Sequence, residues 1–181
     1  VKLAGIGRVR RRVATALAIA LAAAAFSAAV PQHGSAALLS KETFNPTSGP
    51  LGPISVIGDS VMLGSIIYSP TLSDQLAQRG WGPIRVRAGG GYSTGAFAVP
   101  AEARSSYWIT EWRRQGWDPQ NVVVNIGGND SGFCTTNLSC ARNAIMHLVD
   151  TIGPGHRIWW PKVTHHWVYT NWATNWNTAL D

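Results

Sequence analysis

The sequence predicts an α/β sandwich on a parallel sheet, and three observations predict it. Short apolar runs at residues 54–57, 84–86, 121–126 and 157–160 alternate with helix-like stretches along the chain. The run at 121–126 holds Val122, Val123, Val124 and Ile126 together, so it is apolar on both faces, as a central parallel strand must be. The alternation of strand and helix requires right-handed crossovers within one sheet, and 181 residues suffice for one domain with a sizeable core.

Each element follows from its residues. Residues 37–53, with Pro46, Gly49, Pro50, Gly52 and Pro53, read as a linker leading into the domain at residue 54. The first strand, 54–57, ends at Gly58, and helices are expected over 61–68 and 71–79. The second strand, 84–86, enters a glycine-rich loop, Gly89-Gly90-Gly91-Tyr92-Ser93-Thr94-Gly95. A helix is expected over 101–115, where Trp108 and Trp112 stand four apart and share a core-facing side. Gly116 ends it and Asp118-Pro119 turns the chain into the third strand. Residues 139–152 form an amphipathic helix stopped by Gly153-Pro154-Gly155, followed by the fourth strand and a last helix at 171–180. No internal repeat is present.

Composition bounds the function. The net charge is +6, yet five of the fifteen basic residues (Lys2, Arg8, Arg10, Arg11, Arg12) fall in the first twelve positions. The remainder carries ten basic against nine acidic residues, so a nucleic-acid partner has no electrostatic support. The basic start precedes an apolar stretch over 13–30 and then small residues, the pattern of a secretory signal peptide over 1–36. Cleavage after Ala29 and after Ala36 both fit, and an uncleaved anchor is the alternative. The mature chain is thus expected to be secreted or in the cell envelope, without stable membrane insertion, and monomeric. In that compartment Cys134 and Cys140 are expected to pair. They form no zinc pattern, and no metal or organic cofactor is implied.

Three loops carry chemistry. Ser60 follows Gly58-Asp59 after the first strand, at the start of a helix, where its own backbone N–H is free to meet a developing oxyanion; alone, it reads equally as a helix cap. The glycine loop lets backbone approach a ligand closely, although it lacks the surroundings of a dinucleotide fingerprint. Asn129, in Gly127-Gly128-Asn129-Asp130 after the third strand, has an amide able to donate to an oxyanion, with Asp130 placed to brace the loop. In a parallel sheet all three loops gather at the carboxyl edge of the strands.

In this order the residues resemble the SGNH hydrolase superfamily, the GDSL-like lipases and esterases, over about 54–181. Gly58-Asp59-Ser60 matches the first block of the family and Gly127-Gly128-Asn129-Asp130 the third, while Gly91 is the better match to the second-block glycine and Gly90 its rival. The run from Gly58 to Gly64 looks most like bacterial cell-envelope members. The resemblance implies a flavodoxin-like three-layer α/β/α sandwich and a carboxylic-ester substrate with a short acyl group, such as acetyl on a carbohydrate or envelope glycan. It implies Ser60 as nucleophile, an oxyanion hole of the Ser60 and Gly91 N–H groups and the Asn129 side chain, and supporting roles for Asp59 and Asp130.

The fourth family block, Asp-x-x-His, does not occur. The residue three before each histidine is Lys162 for His165, Val163 for His166, Ala144 for His147 and Gly153 for His156, and His33 belongs to the leader. The resemblance therefore places the catalytic pair, with a final strand, beyond Asp181, with His165 or His166 as a divergent base in reserve. An acyltransferase is a close variant. A non-catalytic glycan-binding protein is the competing class, in which Trp159, Trp160, Trp167, Trp172 and Trp176 form a sugar platform; their alternative role is core packing.

Overall fold

The computed structural model describes residues 39–135, 137–163 and 170–181. The expected leader over 1–36, and His165, His166 and Trp167, lie outside the described residues. The elements are β1 (Ser40–Asn45), β2 (Ile54–Gly58), α1 (Ser60–Ile67), α2 (Leu72–Gln78), β3 (Ile84–Gly89), a 3₁₀ turn (Ala101–Ala103), α3 (Ser105–Arg114), β4 (Asn121–Asn125), α4 (Gly128–Cys134), α5 (Leu138–Ile152), β5 (Arg157–Trp159) and α6 (Thr170–Leu180).

The sheet runs β1-β3-β2-β4-β5, parallel throughout except for β1, which lies antiparallel on β3. Side-chain alternation splits the core between its two faces. Ile54, Val56, Ile84 and Val86 point to the side covered by α1 and α2, against Met62, Leu63, Ile66, Leu72 and Leu76. Ile57, Val122 and Val124 point to the other, against Ile109 and Trp112 of α3 and Leu148 and Ile152 of α5. Helices therefore cover both faces, and each fully buried Ile or Leu contributes about 1.5–3 kcal/mol. Among the described residues no helix is long and apolar enough to cross a membrane.

Three elements depart from the sequence reading. The expected linker over 37–53 contains β1, whose Glu42 hydrogen-bonds Arg85 (2.7 Å) and Arg87 (2.9 Å) of β3 and accepts from the Trp112 indole (3.2 Å). The strand is polar in sequence because its ties are to cations and an indole rather than to an apolar layer. Secondly, the expected loop Gly127-Gly128-Asn129-Asp130 runs into a short helix, α4 (Gly128–Cys134), with Asp130, Ser131 and Cys134 buried. The expected helix at 101–115 also begins as a 3₁₀ turn, with α3 starting only at Ser105.

Candidate active site

The strand order places β2 between β3 and β4, and the register aligns their carboxyl ends. Gly58 is opposite Ala88 on one side and Asn125 on the other. The chain passes in opposite directions from β2 to its two neighbours, so this is the switch point at which a parallel sheet opens a crevice. The three loops singled out by sequence leave the sheet here, side by side.

Ser60 is the first residue of α1. Asp59 caps the helix from an extended conformation, its Oδ1 accepting from the Val61 N–H at 2.9 Å. The cap is therefore Asp59 and not Ser60, which leaves the Ser60 hydroxyl exposed and without a hydrogen-bond partner among the described residues. As first residue of the helix, Ser60 also has a backbone N–H with no intrahelical acceptor.

The glycine loop is pinned on both sides of one residue. The Gly90 N–H donates to the Leu39 carbonyl at 2.8 Å, and the Tyr92 carbonyl accepts from the Asn129 side-chain amide at 2.8 Å. Between them Gly91 is exposed, stands at φ 72° and makes no backbone hydrogen bond through its N–H among the described residues. Of the two glycines matched to the second block, Gly90 has its N–H committed and Gly91 has it free.

Asn129 lies in the first turn of α4. One of its two amide hydrogens is spent on Tyr92, leaving the other available. The residue before the helix is Gly127, whose φ of 137° is open to glycine, and a Cβ there would overlap the indole of Trp176 from α6. Asn175 of α6 reaches back to the Thr135 carbonyl at 2.9 Å, so α6 supports α4 from behind.

Two buried carboxylates bind these loops together. Asp59, 3 % exposed, accepts from the Val61 N–H, and its Oδ2 lies against Gly128, so it sits between the β2–α1 loop and the β4–α4 loop. Burial raises its pKa, and the backbone of Val61 and Gly128 pulls it back only in part. Asp130 is fully buried and accepts from the Thr94 N–H (3.0 and 3.2 Å) and the Thr94 hydroxyl (2.7 Å), joining the β4–α4 loop to the glycine loop. Burial pushes its pKa up to about 6 against the Thr94 hydrogen bonds, with the charge of Asp59 adding to the rise. Thr94 is a partner that the sequence reading missed; only its place in the glycine loop hinted at it.

The remaining predicted residues fall elsewhere. Cys134 and Cys140 are at disulfide distance, linking the end of α4 to α5. His156 contacts Asp118 (3.2 Å) and precedes β5, at the amino edge of the sheet and opposite Ser60. His147 is exposed on α5, and among the described residues no histidine hydrogen-bonds Ser60. Trp176 is fully buried, and Trp160 packs on it while donating to the Ile126 carbonyl at 2.7 Å, so these two tryptophans belong to the interior rather than to a sugar platform. Trp159 is 41 % exposed with its ring edge-on to Trp81, and the Trp172 side chain lies outside the described residues.

Searches against protein-family models, curated proteins and solved structures find no match to this chain.

Proposed function

We propose that this chain is a secreted serine esterase of the SGNH/GDSL type, with a flavodoxin-like three-layer sandwich, that hydrolyses carboxylic esters through an acyl-enzyme on Ser60. The observation that carries the reading is the coincidence at one sheet edge of an exposed, unbonded hydroxyl with three uncommitted donors: the N–H groups of Ser60 and Gly91 and the second amide hydrogen of Asn129. Donors that fold into place without a protein acceptor are what a tetrahedral oxyanion requires.

In this reading the Ser60 oxygen attacks the ester carbonyl carbon and its proton passes to a general base. The oxyanion collects hydrogen bonds from the three donors, each worth about 3 kcal/mol in the transition state. Collapse expels the alcohol, which takes the proton, and water then attacks the acyl-Ser60 ester to release the acid. The acyl group is short, with acetyl on a carbohydrate or envelope glycan as the preferred substrate class, by analogy with the family alone. The Cys134–Cys140 pair and the basic, then apolar, first residues support export.

The test is hydrolysis of p-nitrophenyl acetate by the full-length gene product, which has to supply the general base, and by its Ser60→Ala variant. The expected loss in kcat is at least about 10³-fold, as for removal of other serine nucleophiles. Equal rates would end the esterase reading and favour a binding protein.

A further inference from the structure

Gly91 makes no hydrogen bond through its own N–H, so the direction of that bond is set by its neighbours. Upstream, Gly90 is held by Leu39. Downstream, segment 92–94 lies beside the start of α3, with the Ser93 N–H on the Ala103 carbonyl (2.9 Å), the Ser105 N–H on Ser93 (2.8 Å) and the Ser106 N–H on Thr94 (3.1 Å). Across from these, Asn129 holds Tyr92 and Asp130 holds Thr94. Asn129 and Asp130 are consecutive residues in the first turn of α4, so one rigid turn carries an oxyanion donor and also grips the loop that carries another.

We propose that Thr94 is a positioning residue. By donating its N–H and its hydroxyl to Asp130, it locks the Gly91 N–H to the Asn129 amide so that the two donors form one rigid unit. This rests on the reading of Ser60, Gly91 and Asn129 as the catalytic centre. Both partners are fully buried, so water does not compete for either bond. The Thr94 hydroxyl also accepts from the Ala96 N–H at 3.3 Å, which carries the restraint through the far end of the loop. Valine matches threonine in shape and lacks the hydroxyl, whereas serine keeps the hydroxyl and loses a methyl group.

Two measurements on Thr94→Val and Thr94→Ser test the proposal, with melting followed by circular dichroism. For p-nitrophenyl acetate, Thr94→Val is expected to lower kcat about 10–100-fold with KM within about twofold, because the donors are displaced by a fraction of an ångström while substrate access is unchanged. Thr94→Ser is expected to restore kcat to within about threefold. By hydrogen exchange, amides over 89–95 are expected to exchange faster in Thr94→Val while β2 keeps its protection, and Thr94→Ser returns them to the wild-type rate. Should Thr94→Val not fold, Thr94→Ala, which also removes the hydroxyl bonded to Asp130 Oδ1, is measured in the same two ways. Unchanged kcat together with unchanged exchange over 89–95 would overturn the proposal, as would a loss spread evenly over the whole domain. If Ser60→Ala hydrolyses the ester as fast as wild type, the esterase reading has failed by itself, and the exchange experiment still decides whether Thr94 fixes the loop.

Discussion

The two edges of the sheet hold their acids in opposite ways. At the carboxyl edge Asp59 and Asp130 are buried, accept from backbone N–H groups and one hydroxyl, and have no cation beside them. At the amino edge Asp118 is 45 % exposed and pairs with Arg113 and His156, each at 3.2 Å. Burial raises all three, but at Asp118 the hydrogen bond and charge of Arg113, with His156, more than reverse it, so its pKa falls while those of Asp59 and Asp130 rise. A carboxylate buried to hold the backbone of a distant loop fixes the loop, and its burial, against the pull of those hydrogen bonds, destabilises it as an ion. A solvated ion pair fixes little. The candidate site sits on the first kind of edge.

Breaking the buried acid has the largest expected effect. Asp130→Ala leaves the Thr94 N–H and hydroxyl buried without an acceptor and should destabilise the fold by about 3 kcal/mol, read from urea unfolding. The pH dependence sharpens the contrast. Burial pushes the pKa of Asp130 in the fold up to about 6 from its ordinary 3.8, so between those pH values the folded chain holds more protons than the unfolded chain. Its contribution to stability therefore falls as pH rises through that window and levels off above it, and Asp130→Asn should remove that part of the slope. Asp118 acts with the opposite sign: its lowered pKa adds stability above the unfolded value, and that is lost on acidification. The smallest effect is expected at Asp118→Ala, under about 1 kcal/mol in the same unfolding experiment, because the pair is exposed and screened. Equal losses at Asp130 and Asp118 would remove the distinction between the edges.

Much of this arrangement was legible in the sequence. Strands β2 to β5 announce themselves by apolar runs that break at glycine or proline, and Ser60 and Asn129 stand directly after two of them. What was not legible depends on partners far along the chain. β1 reads as linker because Ser40–Asn45 is polar, and its Glu42 is held by Arg85, Arg87 and Trp112, 43 to 70 residues away. α4 contains two glycines, an asparagine and an aspartate, poor helix formers held by burial of Asp130 and Cys134 and by the Trp176 indole behind Gly127. Thr94 looks like any loop threonine until Asp130, 36 residues later, is placed against it.

The most direct test of the central claim, that Ser60 faces three waiting donors, is covalent labelling with a p-nitrophenyl alkylphosphonate followed by peptide mass spectrometry. One adduct is expected, on the peptide carrying Ser60, absent in Ser60→Ala and formed at least about tenfold more slowly in Asn129→Ala, since the phosphonyl oxygen uses the same donors as the oxyanion. An adduct on another residue, or equal labelling rates for wild type and Asn129→Ala, would contradict it.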